Sequence, residues 1–293
     1  MAPEHNDIYL LCSDGLTKVV PEADAKLQSG PVETSRVMSR TGDEIVTQTD
    51  QFRDVLKGAD LSVIVPTCPD WTLAQLARHV GGNLRAAETA VRTGTPVVEP
   101  GKLPEVRGPA DDDPAALDDW LAEGAERYAA TMRQADPGAT TQIWTVQRPN
   151  GFWARRAAND LVVHRADATG TVGADYTVAP EVAADVIDEL LELFSDPEIA
   201  AASPRAAELR GPGSIHLHAT DAEAGLAAEW LIELGTDGFT WRRGHEKATV
   251  ALRGPLTDVM LVFYRRLPAN SERVEVLGDA ALLDFWLDRV LLV

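Results

Sequence analysis

The chain has little positive charge and almost no cysteine. Lysine occurs only at positions 18, 26, 57, 102 and 247, and Lys and Arg together number 27 against 46 Asp and Glu, giving a formal charge of −19. A surface this acidic repels phosphate, so a nucleic-acid partner is not expected, and anionic lipid headgroups are disfavoured for the same reason. No apolar run approaches the roughly 20 residues needed to cross a bilayer. The start, MAPEHNDIYLLCSDG, lacks the charged, apolar and small-residue succession of a secretory signal. A cytoplasmic location is therefore expected, with no membrane association. The two cysteines, Cys12 and Cys68, are too few and too far apart for a disulfide framework, and reduced thiols are the simpler reading. Also missing are a Gly-rich phosphate loop, a GxSxG elbow and an HExxH pair, so nucleotide-binding, serine-hydrolase and zincin readings lack their parts.

What is present is an ordinary globular composition, 45% hydrophobic and 25% charged over 293 residues, enough for two modest domains with separate cores. Residues 1–43 read as an N-terminal extension. Its DIYLLCSDGLTKVV, from Asp7, is similar to a metal-binding segment of metal-dependent serine/threonine phosphatases, with Asp14 as the acid. The further acidic strands of such an enzyme are missing, so no phosphatase domain is inferred. Gly, Pro and Ser between Ser29 and Ser35 mark a linker, and an alternative working start lies at Met38.

From Asp43 the periodicity becomes helical. Ile45, Val46, Phe52, Val55 and Leu56 recur at helical spacing, with Gly58 as a stop. Pro66 and Pro69 impose an extended turn, and Thr72 is placed to cap a helix whose stripe is Leu73, Leu76, Ala77, Val80 and Leu84. Gly81 and Gly82 each cost about 1 kcal/mol of helix propensity, which points to close packing or a ligand beside them. A third helix starts at Asp111 to Asp113 with Pro114 and runs to about Ala135; the acidic run is read as a cap. An extended piece over Thr141 to Arg148 precedes a fourth helix, Phe152 to Thr169, and a fifth, amphipathic helix covers Pro180 to Phe194. After a Pro-rich boundary at Ser203 to Pro212, alternating strands, an Asp237-Gly238 hairpin turn and two helices indicate an α+β layer domain. The domains are thus drawn as 1–43, 44–200 and 205–293.

Three side chains carry the chemistry. Asp160 and His164 stand four apart on the fourth helix and so project from one face. A third ligand must come from elsewhere, and His79 lies on the amphipathic TLAQLARHVGGNL helix. Antiparallel packing of the two helices would bring the three heads together. Two imidazoles and a carboxylate with an open fourth position suit catalytic Zn²⁺, and with more open positions suit Fe²⁺, Mn²⁺ or Ni²⁺. The alternatives are an exposed helix pair, worth a few tenths of a kcal/mol, or a hydrogen-bonded core histidine with Asp160 on its flank.

The stretches VPTCPDWTLAQLARHVGGNL (from Val65) and RRAANDLVVHRADA (from Arg155) resemble the two signature segments of the mycothiol-dependent maleylpyruvate isomerase family. LRGPGSIHLHATD, ATVALRGPLTDVMLVFYRRL and RVEVLGDAALLDFWL are similar to that family's small C-terminal domain. The resemblance implies an all-α, DinB-like four-helix bundle followed by a small α+β, sterol-carrier-like domain. It implies His79, Asp160 and His164 as ligands of a divalent metal, most simply Zn²⁺, and mycothiol as a thiol cofactor acting on a small-molecule substrate such as maleylpyruvate, by isomerisation or S-transfer. The best-studied members carry Glu where this chain has Asp160, shorter by one methylene. The Ala- and Arg-rich, Lys-poor composition fits an actinobacterium, the group that makes mycothiol. The alternative function is a non-catalytic metal- or small-molecule-binding protein of the same DinB-like superfamily.

Around this centre the roles stay open. A dicarboxylate substrate calls for an arginine, with Arg155, Arg156, Arg253 and Arg266 as candidates and Arg253, at a strand end, ranked first; Arg165 turns away from the cavity. Cys68 reads as a small apolar turn residue, and Asn159 is given no role. Trp144 and Trp153 read as core before pocket wall. His216 and His218 alternate on one strand and share a face, but with no acid or cysteine spaced to join them they read as surface histidines.

Overall fold

The computed structural model describes residues 31–109, 113–143, 146–196 and 205–290. Cys12, Asp14, Asp111, Trp144 and Ser203 lie outside the described residues, so the readings attached to them carry no structural account. The chain divides into two compact units between Tyr176 and Thr177.

The first unit is helical. Its long elements are α1 (Pro31–Leu56), α2 (Leu73–Thr93), α3 (Pro114–Gln134) and α4 (Asn150–Val172). Both α1 and α2 pack against α3 and α4. Two short antiparallel ribbons, β1 (Ile64–Val65) with β2 (Cys68–Thr72) and β3 (Thr140–Ile143) with β4 (Val146–Pro149), lead into α2 and α4 respectively. The reading of Ser29 to Ser35 as linker is corrected, because α1 already begins at Pro31. Proline suits that position: its missing N–H would be unsatisfied in the first turn anyway. Met38 accordingly lies inside a helix, and the first helix crosses the boundary drawn at residue 43.

Local chemistry accounts for the other ends. The Thr72 side chain accepts from the Gln75 amide at 3.3 Å while the Gln75 side chain accepts from the Thr72 amide at 2.8 Å, a reciprocal cap that starts α2 at its first apolar residue. Gly94, with φ of 62°, ends α2 in the left-handed region that glycine adopts without steric cost. Asp113 caps α3 through the Ala115 amide at 3.0 Å. In the core, Phe52, Leu73, Leu76, Leu121 and Leu161 form one buried cluster, and Ile45, Leu84, Tyr128 and Trp153 another. Trp153 is a core residue, its indole donating to the Thr141 carbonyl at 2.8 Å. Gly81 faces Trp120 so closely that any Cβ there would overlap the indole ring. That glycine serves helix packing.

The second unit is sheet-rich. It comprises α5 (Pro180–Ser195), β5 (Ser214–Ala219), β6 (Glu229–Leu234), β7 (Phe239–Arg243), β8 (Val250–Gly254), α6 (Leu256–Phe263), β9 (Glu275–Gly278) and α7 (Ala280–Leu287). The strand order is β7-β6-β5-β8-β9, antiparallel except for the parallel β5–β8 pair. Trp286 stacks on Phe263 at 5.7 Å and meets Phe239 edge-on at 4.8 Å, filling the core with Ile215, Leu217, Ile232 and Leu252. The boundary drawn between 200 and 205 differs from the structure, since α5 falls in this unit. Asp188 of α5 accepts from the Trp230 indole at 2.6 Å and pairs with Arg243 at 2.5 Å, and the Tyr264 hydroxyl donates to the Val186 carbonyl at 2.9 Å. Among the described residues, no helix is long and apolar enough to cross a membrane.

Candidate metal centre

His79 sits in the second turn of α2, and Asp160 and His164 lie one turn apart on α4. The packing of the two helices brings the three heads together. Asp160 Oδ2 stands 4.0 Å from His79 Nε2 and 3.8 Å from His164 Nε2, and the ligand atoms of all three lie within 4.8 Å of one another. Ligand atoms held tetrahedrally at roughly 2.1 Å from an ion would be about 3.4 Å apart, so the observed spacing needs only a small inward rotation. The shorter acid therefore reaches the point between the histidines. Both imidazoles are buried, and the Asp160 side chain, 13% exposed, is the most accessible of the set.

Several neighbours orient these groups. The His164 Nδ1 and Asp167 Oδ2 atoms are 2.9 Å apart, so an Nδ1–H donating to that carboxylate leaves Nε2 free of its proton for a metal. Asp167 is itself held by the Thr67 hydroxyl at 2.6 Å and approached by the Cys68 thiol at 3.9 Å. Arg156 holds the other Asp160 oxygen, Oδ1, at 2.9 Å. Trp71 covers the histidines, its ring 4.5 Å from that of His79 and 6.3 Å from that of His164. The Asn83 amide reaches His79 Nε2 at 3.0 Å and Asp160 Oδ2 at 3.2 Å.

The electrostatics suit a metal. Burial, with the nearby His164, pushes His79 down to about 3, so its imidazole is neutral and can ligate at physiological pH. For Asp160 burial acts upwards, but His164, Arg156 and His79 outweigh it and hold the carboxyl at about 2. It is thus a carboxylate. Two imidazoles and a carboxylate, with a second carboxyl group behind one imidazole, are a donor set that a divalent transition metal fits.

Of the arginines considered, Arg156 touches the triad, through Asp160. Arg165 turns the other way, as its position after His164 implies, bonding Gln48 at 2.7 Å and lying over the Tyr176 ring at 4.3 Å. Arg253 lies on β8 and pairs with Glu275 at 3.2 Å, and Arg266 donates to the Tyr264 carbonyl at 2.9 Å. The sequence reading missed Asp167, Asn83 and Trp71. The first two stood at visible helical spacings, three after His164 and four after His79. The reading of Cys68 as a small apolar residue is half of what is found: the side chain is buried, yet its thiol faces Asp167.

The likeness to known proteins coincides with these units. Residues 43–169 match the mycothiol maleylpyruvate isomerase N-terminal domain, and residues 181–285 match the C-terminal domain of the same enzyme. Two crystal structures of the mycothiol-dependent maleylpyruvate isomerase share the fold, one of them of a histidine-to-alanine mutant. They superpose with TM-scores of 0.54 for the mutant and 0.52 for the other. Each is 15% identical, over 82% of this chain and 92% of the other. No curated sequence matches the chain significantly. With both domain models matched in order and covering most of its length, the chain belongs to the mycothiol-dependent maleylpyruvate isomerase family.

Proposed function

We propose that this protein is a divalent-metal-dependent enzyme, most simply a Zn²⁺ enzyme, that uses mycothiol to isomerise an electrophilic small molecule such as maleylpyruvate or to transfer the thiol sulfur to it. The observation that carries the reading is the convergence of His79, Asp160 and His164, with Asp160 Oδ2 at 4.0 and 3.8 Å from the two imidazoles. These three residues would hold the ion, on the DinB-like four-helix plan that the family implies. When bound, the ion supplies the positive charge that keeps a thiol deprotonated at neutral pH, where a free thiol is mostly protonated.

The chain's own groups arrange the rest. Asp167 sets the His164 tautomer, and Arg156 occupies Oδ1 of Asp160 so that Oδ2 faces the histidines. Trp71 shields one side of the imidazoles from water. A thiolate that adds to an activated double bond turns it into a single bond; rotation and expulsion of the thiolate then return the other isomer and the thiol. If expulsion fails, the product is the S-conjugate.

The test is Co²⁺-substituted protein titrated with mycothiol at millimolar concentration, followed by maleylpyruvate. A new sulfur-to-metal absorption band that His79→Ala abolishes, with turnover of maleylpyruvate, is the expected result. A spectrum indifferent to thiol sinks both the isomerase and the transferase mechanism. A thiol-induced band without conversion or conjugation leaves the non-catalytic binding protein.

A further inference from the structure

A second group of metal-type donors stands in the sheet-rich unit, independent of the first. The chain has six histidines, and the five that are described fall into two clusters: His79 and His164 in the centre above, and His216, His218 and His245 together with Glu229. His216 and His218 alternate on β5 and share a face, as the sequence pattern indicates. The acid that the pattern could not supply comes from the neighbouring strand, where register places Glu229 of β6 opposite His218. His245, in the segment between β7 and β8, completes the set.

The three imidazoles are arranged around one point. Glu229 Oε2 lies 2.9 Å from His216 Nε2, 2.8 Å from His218 Nδ1 and 2.5 Å from His245 Nδ1. The ring centroids are 5.4, 5.2 and 5.4 Å apart, close to an equilateral triangle, and each pair meets edge to face. Ordinary surface histidines do not converge so. One carboxylate oxygen receiving three imidazole nitrogens is the protonated counterpart of a cation held by three imidazoles and a carboxylate. With an ion at the point that Oε2 now holds, the imidazole nitrogens would move inward by less than about 1 Å to reach zinc's roughly 2.0–2.1 Å, and the Glu229 carboxylate would swing back by about 2 Å to serve as the fourth donor.

We propose that His216, His218, Glu229 and His245 form a second binding site for a divalent transition metal, of the Zn²⁺ class. Imidazole-rich donors exclude Ca²⁺ and Mg²⁺, which take oxygen ligands. Four protein donors close a tetrahedral shell, so the site is structural. The ion joins β5, β6 and the segment after β7, pinning that segment to the sheet. His216 is buried at the base while His245 is largely exposed, so the ion enters from solvent and His245 closes over it.

Zn²⁺ stoichiometry and affinity in the full-length protein, measured by competition with a chromophoric chelator, test this. Wild type should bind one more equivalent than His245→Ala or than His216→Ala/His218→Ala, with a Kd below about 1 µM for the extra equivalent. His79→Ala/His164→Ala should retain that equivalent and show a Zn²⁺-dependent rise in melting temperature, which His245→Ala added to it removes. Because His245 is exposed, its substitution spares the fold, and a circular dichroism spectrum matching wild type verifies this. Equal stoichiometry in wild type and His245→Ala, or a second equivalent bound only above about 100 µM, overturns the proposal. Since the first centre is deleted in one arm, failure there leaves the second site's result readable, and the reverse holds.

Discussion

Asp167 illustrates how a residue that would touch no metal can control one. It fixes the orientation and tautomer of His164 from behind, at 2.9 Å, and is itself anchored by Thr67. Asp167→Asn keeps the shape but, presenting its amide nitrogen, donates to Nδ1 and moves the proton to Nε2. Metal affinity at the first centre should fall about 10- to 100-fold with the melting temperature of the metal-free protein little changed, as chelator competition beside calorimetry would reveal. His164→Ala should remove that metal equivalent altogether and leave the fold, because the core rests on Phe52, Leu73, Leu121, Leu161 and their neighbours. Collapse of that variant, with metal retained in whatever stays folded, would make His164 a packing residue. Asp160→Ala should be the harsher change for stability: Arg156, almost wholly buried, loses a carboxylate partner, and stripping one member from such a pair costs about 3–5 kcal/mol. Urea denaturation of the two metal-free variants would rank them.

Helix contacts set where these side chains stand. The missing Cβ of Gly81 lets α2 approach Trp120 of α3, and Gly81 lies two residues after His79 on the same helix. Gly81→Ala would either push α2 outward or turn the indole, a form of overpacking that costs about 1–3 kcal/mol. Loss of metal affinity should accompany the loss of stability. Gly170 in α4 supplies the contrast, for a Cβ there meets nothing within 4 Å and its φ is not positive. Gly170→Ala should therefore stabilise by about 0.5–1 kcal/mol through helix propensity. Chemical denaturation curves of opposite displacement for the two variants would bear this out, whereas equal displacement would mean that the Trp120 contact is not decisive.

At the scale of the whole molecule, the partition of the helices decides what can fold alone. The sheet keeps α5 as its own helix through Asp188 to Trp230 and Arg243, and through Val186 to Tyr264. Its aromatic core of Trp286, Phe263 and Phe239 is internal to the same unit. A fragment of residues 177–293 should thus unfold in one cooperative thermal transition. One of residues 205–293, cut where composition suggests a boundary, leaves the Trp230 indole without its acceptor and exposes the face that α5 covers, and should show no such transition. Equal cooperativity in both fragments would mean that α5 is dispensable.

Local signals were legible in the chain wherever the cause was local. The reciprocal cap at Thr72, the proline after Asp113, the alternation of β5 and the four-residue spacing of Asp160 and His164 all depend on neighbours within a turn or a strand. The helical-then-α+β order could be read for the same reason, whereas the pairing of His79 with that helix, a contact between distant segments, was read from the resemblance of the two stretches to family signature segments. Other features depend on which surfaces meet. Which unit takes α5 and which glycine faces an indole are settled by packing between segments far apart in sequence. The second histidine cluster is the clearest case. Periodicity put His216 and His218 on one face, but Glu229 and His245, 11 and 27 residues after His218, join them only through strand register and the turn of the chain between β7 and β8. A strand's register is set by its partner's hydrogen bonds and by the core beneath the sheet, so tertiary structure alone could bring those donors together.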